Sequence, residues 1–256
     1  MRQTGTGQAA VLDPRDSGIW ARSSAFLQRN SRPGGLLWTR TVNRRVGAMI
    51  AIALMPTRIS SNWISVAGLT VHVAGAAYVA FLETPSPLAI IPAVVLWQLA
   101  FSLDCTDGML ARERGDSTRF GAWLDQVMDF LAHVAVFTAL VIYVTRAIDL
   151  APVHAVLLAV LAAGGNLLQL FAASQRNTIM GLENPGDQPP TWRRRSLMLG
   201  RHLIDYGAFL FLAAILLLAP IALLILITLS GSLAVLAVLA QVILNWKRYS
   251  HAQGAG

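Results

Sequence analysis

The chain has 256 residues, of which 55% are hydrophobic and only 13% are charged. Soluble domains usually contain about 25% charged residues, so this composition argues against a soluble enzyme and indicates an integral membrane protein. The net charge of +7 comes almost entirely from arginine, and no basic stretch is interleaved with aromatic residues, so we expect anionic lipids and phosphate-bearing substrates rather than nucleic acid as partners.

The N-terminal region has two predicted parts. Residues 1–33 are rich in Gly, Ser, Arg and Gln, lack a hydrophobic core of the signal-peptide kind, and are predicted to form a disordered cytoplasmic tail. Residues 34–56 place apolar side chains at helical spacing on one face, which predicts an interfacial amphipathic helix. The alternative is a short extra transmembrane helix. This alternative is less favourable because the segment contains Arg44 and Arg45 and because Pro56 ends the helix.

Six apolar stretches of about 20 residues follow, each long enough to cross a bilayer. They lie at 61–82, 87–109, 120–145, 151–173, 201–219 and 221–245. The predicted fold class is therefore an all-α integral membrane protein, a bundle of six transmembrane helices preceded by the interfacial helix. A single six-span domain is placed at 57–248 and a cytoplasmic C-terminal tail at 249–256.

Aspartates at the facing ends of the second and third predicted spans are the main functional signal. The four are Asp104, Asp107, Asp125 and Asp129. At about 100° per residue, the first two share one side of a helix, while the last two stack along one face of the next helix. The polar segment 113–118 predicts a tight connection, so the two pairs should meet face to face.

Ionisable groups at membrane depth indicate a functional site, and four like charges require a cation between them. Oxygen ligands of this kind suit Mg²⁺ or Mn²⁺. Gly108, Ala111 and Gly121 lie on the same helix faces and leave room for a bulky ligand. The alternative of two soluble helices with solvated acids is disfavoured because residues 130–144 are apolar.

The residues from Asp104 to Asp129 match the pattern D-x2-D-G-x2-A-R-x8-G-x3-D-x3-D at every fixed position. This pattern resembles the signature of the CDP-alcohol phosphotransferases, membrane enzymes that make phospholipid head groups. The resemblance implies that one or two Mg²⁺ or Mn²⁺ ions are held by Asp104, Asp107, Asp125 and Asp129, with Asp129 also the candidate catalytic base. It further implies a CDP-binding set formed by Asn62, Asp107, Gly108, Ala111, Arg112 and Gly121, with Arg112 near the diphosphate.

The implied reaction transfers a phosphatidyl-type group to an alcohol hydroxyl and releases CMP. The donor is expected to be CDP-diacylglycerol, with a smaller CDP-alcohol as the alternative, and the acceptor a polyol or polyol phosphate such as inositol phosphate or glycerol phosphate. Membrane lipids are expected partners, and a homodimer is compatible with the sequence. Two other functional classes are alternatives to the enzyme. One is a cation transporter or channel, and the other is a non-catalytic lipid-binding relative. The gathering of a complete set of acids at one hairpin favours the enzyme.

The remaining polar residues allow competing interpretations. Asn62 lies in a segment similar to the family's Pro-Asn-x-hydrophobic-Thr element, although Ser61 and Ser65 replace its Pro and Thr, and Ser60 or Ser61 could instead cap the helix. Arg201 and Arg119 are candidates for binding the acceptor, since arginine forks suit phosphate.

Arg201 could instead pair with Asp205, one helical turn away. We interpret His72 and His133 as buried polar residues rather than metal ligands. Cys105 is the single cysteine, so the chain forms no internal disulfide.

The distribution of basic residues predicts the orientation in the membrane. With six spans, all but one of the 20 Lys and Arg residues fall on the same side, and only Arg146 lies on the other. Because positive residues concentrate in cytoplasmic loops, both termini and the aspartate-rich hairpin are placed on the cytoplasmic side of the inner membrane.

Overall fold

All of the regular secondary structure in the described part of the chain is helical. A computed structural model describes residues 18–30, 37–180 and 205–253. The helices, in chain order, are α1 Ile19–Asn30, α2 Arg44–Leu54, α3 Ser61–Phe81, α4 Ile90–Arg114, α5 Arg119–Ala147, α6 Pro152–Ala159, α7 Gly165–Met180, α8 Tyr206–Ile215 and α9 Pro220–Gln253. A π-helical turn at Thr39–Asn43 precedes α2, a second at Val160–Gly164 joins α6 to α7, and a 3₁₀ turn at Leu216–Leu218 extends α8.

Five helical segments of the described residues are long and apolar enough to cross a membrane. They are Ser61–Phe81, Ile90–Arg114, Arg119–Ala147, Pro152–Gln175 and Pro220–Trp246. By composition the chain is therefore a multi-pass membrane protein. The predicted span at 201–219 corresponds to a shorter apolar helix, Tyr206–Leu218, and the start of that span lies outside the described residues. The number of six spans stays a prediction.

The prediction of a disordered tail over residues 1–33 is wrong for Ile19–Asn30, which forms α1. Phe26 on this helix is only 3% exposed and packs in a small apolar cluster with Ala48 and Ala51 of α2 and Met109 of α4. The apolar pattern within α1 is short, and its burial depends on a surface made by two distant helices. Local periodicity could therefore not reveal it.

α2 occupies part of the predicted interfacial helix at 34–56, but it packs on the protein through small residues. Gly47, Ala48 and Ala51 are buried, and a β-carbon on Gly47 would stand 2.8 Å from the carbonyl oxygen of Ser102 in α4. The larger apolar side chains are less buried: Val46 is 38% exposed, and Met49, Ile50 and Ile52 are partly buried, with Ile52 packing against the cluster that contains Phe26. That they lie in the membrane interface stays a prediction.

The central packing unit consists of α3, α4 and α5, with α3 against both of the other two. α3 approaches α4 closely because it carries glycines at the contact: a β-carbon on Gly75 would stand 2.7 Å from Cδ1 of the fully buried Trp97. Close backbone packing of this kind is typical of membrane helices, where small residues permit the approach.

The connection between α4 and α5 reverses the chain within four residues. Gly115 ends α4 in the left-handed conformation with φ 70°, which glycine adopts without steric cost. Thr118 caps α5, its side-chain oxygen accepting a hydrogen bond of 3.0 Å from the backbone N–H of Gly121. The predicted tight connection at 113–118 is thus present, and it turns the two aspartate-bearing helix ends toward each other.

Candidate active site

Four carboxylates from two helices form an acidic cluster, defined here as Asp104, Asp107, Asp125 and Asp129. α4 carries the first two and α5 the last two. Asp104 interacts electrostatically with each of the other three, and Asp107 with Asp125 and Asp129. The structure therefore brings the four together, as the helical spacing predicted.

Asp107 is the buried member of the cluster, with 4% of its surface exposed. The hydroxyl of Ser65 in α3 donates a hydrogen bond to its Oδ2, and the backbone N–H of Gly108 donates to its Oδ1. Ser65 is itself 7% exposed. Both oxygens of Asp107 are thus oriented by the protein, one of them from a neighbouring helix.

A cavity of about 180 Å³ adjoins the acidic cluster, and we call it the hairpin cavity. It is lined by residues of α3, α4, α5 and the α4–α5 connection: Ser61, Asn62, Ser65, Asp107, Gly108, Ala111, Arg112, Asp116, Ser117, Thr118, Gly121, Ala122 and Asp125. All six residues of the predicted CDP-binding set are among them. Their proximity is observed, whereas their role toward a ligand stays a prediction.

The glycines of the hairpin cavity have polar side chains directly above them. A β-carbon on Gly121 would stand 3.2 Å from Oδ1 of Asn62, and one on Gly108 would stand 3.1 Å from Nη1 of Arg112. Ser60 begins α3 without a side-chain capping hydrogen bond. Asn62 therefore lies against Gly121 of α5 in the cavity wall, and Ser60 does not cap α3 through its side chain.

The arginines at the end of α4 are bound to backbone carbonyl groups. Nε of Arg112 donates to the carbonyl oxygen of Asn30 at 2.8 Å. Arg114 donates to the carbonyl oxygens of Leu54 at 2.8 Å and Thr57 at 2.9 Å, in the connection that leads into α3. The sequence identified the charge of Arg114 but not this anchoring of the α2–α3 connection, for which it contains no local signal.

The structure describes only one of the two arginines that were predicted to bind the acceptor. Arg119 is the first residue of α5, is exposed, and does not line the hairpin cavity. Arg201 lies outside the described residues. Asp205, considered as its partner, is 2% exposed and caps α8 while accepting hydrogen bonds from the N–H and the hydroxyl of Thr39, at 2.9 and 2.5 Å.

A group of aromatic and histidine side chains lies next to the acidic cluster. His72 is 3% exposed with Nδ1 3.2 Å from the carbonyl oxygen of Gly68, and Nδ1 of His133 is 2.8 Å from the carbonyl oxygen of Asp129. Tyr206 stacks on His133 with ring centroids 4.1 Å apart. Both histidines are bonded to backbone carbonyl groups, and His72 is buried while His133 is partly buried. The sequence analysis did not identify Tyr206, which follows Asp205 at an otherwise apolar helix start.

The chemistry of the acidic cluster fits a hard divalent cation. All four donors are carboxylates, which Mg²⁺ and Mn²⁺ favour, and they repel one another until positive charge lies between them. Within the described ranges, no three His, Cys, Asp or Glu side chains already stand in coordinating geometry. The helices hold the four carboxylates within electrostatic range of one another, so these are the residues that would hold such an ion.

Comparison with known proteins identifies related sequences. Residues 58–246 match the model of a family described as CDP-alcohol phosphatidyltransferase. The chain is also 34% identical over 102 residues to phosphatidylinositol phosphate synthase of Mycobacterium tuberculosis (strain ATCC 25618 / H37Rv), covering 40% of this chain and 45% of that protein. It is 36% identical over 106 residues to the protein of the same name from Mycobacterium marinum (strain ATCC BAA-535 / M), covering 41% and 43%. The chain thus matches less than half the length of these curated relatives.

Proposed function

Because the chain belongs to the CDP-alcohol phosphatidyltransferase family, as the resemblance of its aspartate motif implied, we propose that it transfers a phosphatidyl group from CDP-diacylglycerol to an alcohol and releases CMP. The observation that carries the proposal is the position of the acidic cluster beside the hairpin cavity, whose wall combines small residues with Asn62 and Arg112. Such a site accommodates a nucleotide diphosphate next to carboxylates that are able to hold a cation.

Each residue of the site has a separate role in the proposed reaction. Asp129 accepts the proton of the acceptor hydroxyl, whose oxygen forms a bond to the lipid-bearing phosphorus. The bond from that phosphorus to the oxygen of CMP breaks, and CMP leaves with the electron pair. Arg112 contacts the diphosphate through its terminal nitrogens. The acidic cluster would hold Mg²⁺ or Mn²⁺, which would neutralise negative charge on the diphosphate and the leaving CMP.

We further propose that the acceptor is an inositol phosphate. The two mycobacterial relatives carry the name phosphatidylinositol phosphate synthase, and their similarity to this chain is the support for this choice. A phosphorylated acceptor needs cationic partners, for which Arg119 and Arg201 are the proposed residues. Glycerol phosphate, an uncharged polyol, and a smaller CDP-alcohol as donor are the alternatives that the experiment distinguishes.

The test uses the purified full-length protein in lipid nanodiscs with labelled CDP-diacylglycerol and Mg²⁺. Inositol phosphate, glycerol phosphate, inositol and glycerol are offered separately, and a second series replaces CDP-diacylglycerol with a smaller CDP-alcohol. CMP release is measured in both series, and the lipid product is identified by mass spectrometry. We expect CMP release with inositol phosphate, together with a lipid whose mass corresponds to phosphatidylinositol phosphate. Product only with another acceptor would overturn the choice of acceptor, and no CMP release with any acceptor or CDP-alcohol would overturn the transferase.

We also propose that the hairpin cavity opens toward the cytoplasm and that six helices span the inner membrane. The support is the concentration of Lys and Arg on the side of the α4–α5 connection. CDP-linked substrates would then reach the acidic cluster from the cytoplasmic side.

A further inference from the structure

The C-terminal end of α1 is attached to the C-terminal end of α4. Nη2 of Arg29 lies 3.1 Å from Oε1 of Glu113, and the side-chain amide of Asn30 donates to Oε2 of the same carboxylate. The Asn30 amide also donates to the carbonyl oxygen of Phe26 at 3.2 Å. Asn30 is 5% exposed and Phe26 3%, so the attachment is buried on the side of these two residues, whereas the Arg29–Glu113 ion pair lies at the surface.

The same end of α1 provides a hydrogen-bond partner for Arg112. Nε of Arg112 donates to the carbonyl oxygen of Asn30 at 2.8 Å. The last carbonyl groups of a helix have no partner within it, and they form the negative end of the helix dipole, which favours a cation. With Nε engaged in this way, the terminal nitrogens lie above Gly108 in the wall of the hairpin cavity, where a β-carbon would stand 3.1 Å from Nη1 and 3.6 Å from Nη2.

From this geometry we propose that α1 is a positioning element of the nucleotide site. Asn30 and Glu113 are positioning residues: they hold the end of α1 so that its terminal carbonyl orients the guanidinium of Arg112 toward the donor diphosphate. The inference rests on the proposed function, because it takes that diphosphate as the ligand of the hairpin cavity. α1 precedes residue 58, where the match to the family begins, so this part of the site is supplied from outside the matched residues.

The attachment of α1 to α4 contributes to donor binding because it orients Arg112 before the donor arrives. An unrestrained arginine loses rotamer freedom when it contacts a phosphate, and this loss reduces the affinity. If α1 has already restricted the side chain, part of the loss is absent when the donor binds. Breaking the attachment should therefore weaken donor binding while leaving the chemical step and the acceptor unaffected.

The experiment measures donor KM, acceptor KM and kcat for the full-length protein. Asn30→Ala removes the amide that bonds Glu113, and Glu113→Gln keeps the size of the side chain while removing its charge. We expect either change to raise donor KM by roughly 3- to 10-fold, the effect of about one hydrogen bond, with kcat and acceptor KM close to wild type. Gln28→Ala is the matched control, since it removes an exposed amide from the same helix, and it should leave all three constants unchanged.

A double-mutant comparison separates positioning from general destabilisation. Arg112→Ala should raise donor KM by roughly 10- to 150-fold, and adding Asn30→Ala should then raise it no further, because the group to be oriented is absent. If Asn30→Ala raises donor KM equally in both backgrounds, or if neither α1 variant changes it, the inference is wrong. Absence of CMP release from the wild type would instead contradict the proposed function. The role of α1 would then be tested by calorimetric titration with CDP. The wild type and Gln28→Ala should bind CDP most tightly, Asn30→Ala and Glu113→Gln more weakly, and Arg112→Ala most weakly.

Discussion

At the scale of single residues, Asp107 shows how the acidic cluster depends on its neighbours. Its side chain is buried and receives hydrogen bonds from the hydroxyl of Ser65 and the N–H of Gly108. Two donors hold the carboxylate in one orientation, so its oxygens are directed before any substrate arrives. The other three carboxylates are partly exposed, and they share with Asp107 the repulsion that a cation would relieve.

The first prediction concerns the four carboxylates. Changing any one of Asp104, Asp107, Asp125 and Asp129 to Asn should abolish CMP release, because an amide is a poor cation ligand and does not accept the acceptor proton. For Asp129→Asn, loss of the catalytic base alone should lower kcat by roughly 100- to 10,000-fold. EDTA should abolish CMP release by the wild type, and added Mg²⁺ or Mn²⁺ should restore it.

The control for these variants is Asp149→Asn. Asp149 has a φ of 51°, a left-handed conformation that Asn also tolerates, and it lies beyond the far end of α5. This variant should retain wild-type activity. Full activity in any two of the four single variants, or in EDTA, would contradict the proposed metal site.

The second prediction concerns Ser65. Ser65→Ala removes the hydroxyl that bonds Asp107 and should lower kcat by roughly 10-fold or more, since a hydrogen bond to a charged group is worth about 1.5–3 kcal/mol. Ser65→Thr keeps the hydroxyl and should behave like the wild type. Steady-state CMP release measures both. Equal loss in the two variants would show that the space around Ser65, and not its hydroxyl, is what matters.

At the scale of helices, close approach between α3 and α4 places Ser65 and Asn62 against the aspartates. Gly68 and Gly75 on α3 allow this approach, with Trp97 filling the space above Gly75. α1 and the α2–α3 connection are held by the charged end of α4, through Glu113 and Arg114. α4 therefore serves both as a wall of the site and as the anchor for the elements around it.

The third prediction tests this packing. A methyl group added by Gly75→Ala would overlap the indole of Trp97 and should destabilise the protein by about 1–3 kcal/mol. The thermal unfolding midpoint in detergent should fall accordingly. Gly164→Ala is the matched control, since nothing lies within 4 Å of its added carbon. A midpoint for Gly75→Ala at or above that of the control would mean that the α3–α4 contact adjusts without cost.

At the scale of the whole molecule, the fold separates two polar ends by an apolar middle. The acidic cluster, the hairpin cavity and the α4–α5 connection lie at one end, while Arg146, bonded to the carbonyl oxygens of Ala80 and Leu82, lies at the other. Since only Arg146 falls on that side of the predicted topology, the first end should face the cytoplasm.

The fourth prediction is this orientation. In a background with Cys105 replaced by Ala, Thr84→Cys and Ser117→Cys place single thiols at exposed positions at the two ends. In intact cells an impermeant thiol reagent should label position 84 and not position 117, whereas both should react after permeabilisation. Labelling of position 117 from outside would invert the topology.

The sequence alone determined the properties that depend on local spacing. The lengths of the apolar stretches predict the membrane helices, and the intervals between the aspartates place them on single faces of two helices. The glycine in the 113–118 segment predicts the reversal between α4 and α5. Five of the six predicted spans correspond to long apolar helices of the described residues, and the aspartates do lie on adjacent helix ends. Local spacing suffices here because helix geometry relates residues only a few positions apart.

Tertiary structure decided the contacts between residues far apart in the chain. The helix at Ile19–Asn30, the bond from Ser65 to Asp107, the carbonyl partner of Arg112 and the buried role of Asp205 all depend on which helix faces meet. Periodicity shows which side of a helix is apolar, but the partner of that side is selected by the packing of the whole bundle. α1 shows this most clearly, since its buried Phe26 packs on residues of both α2 and α4.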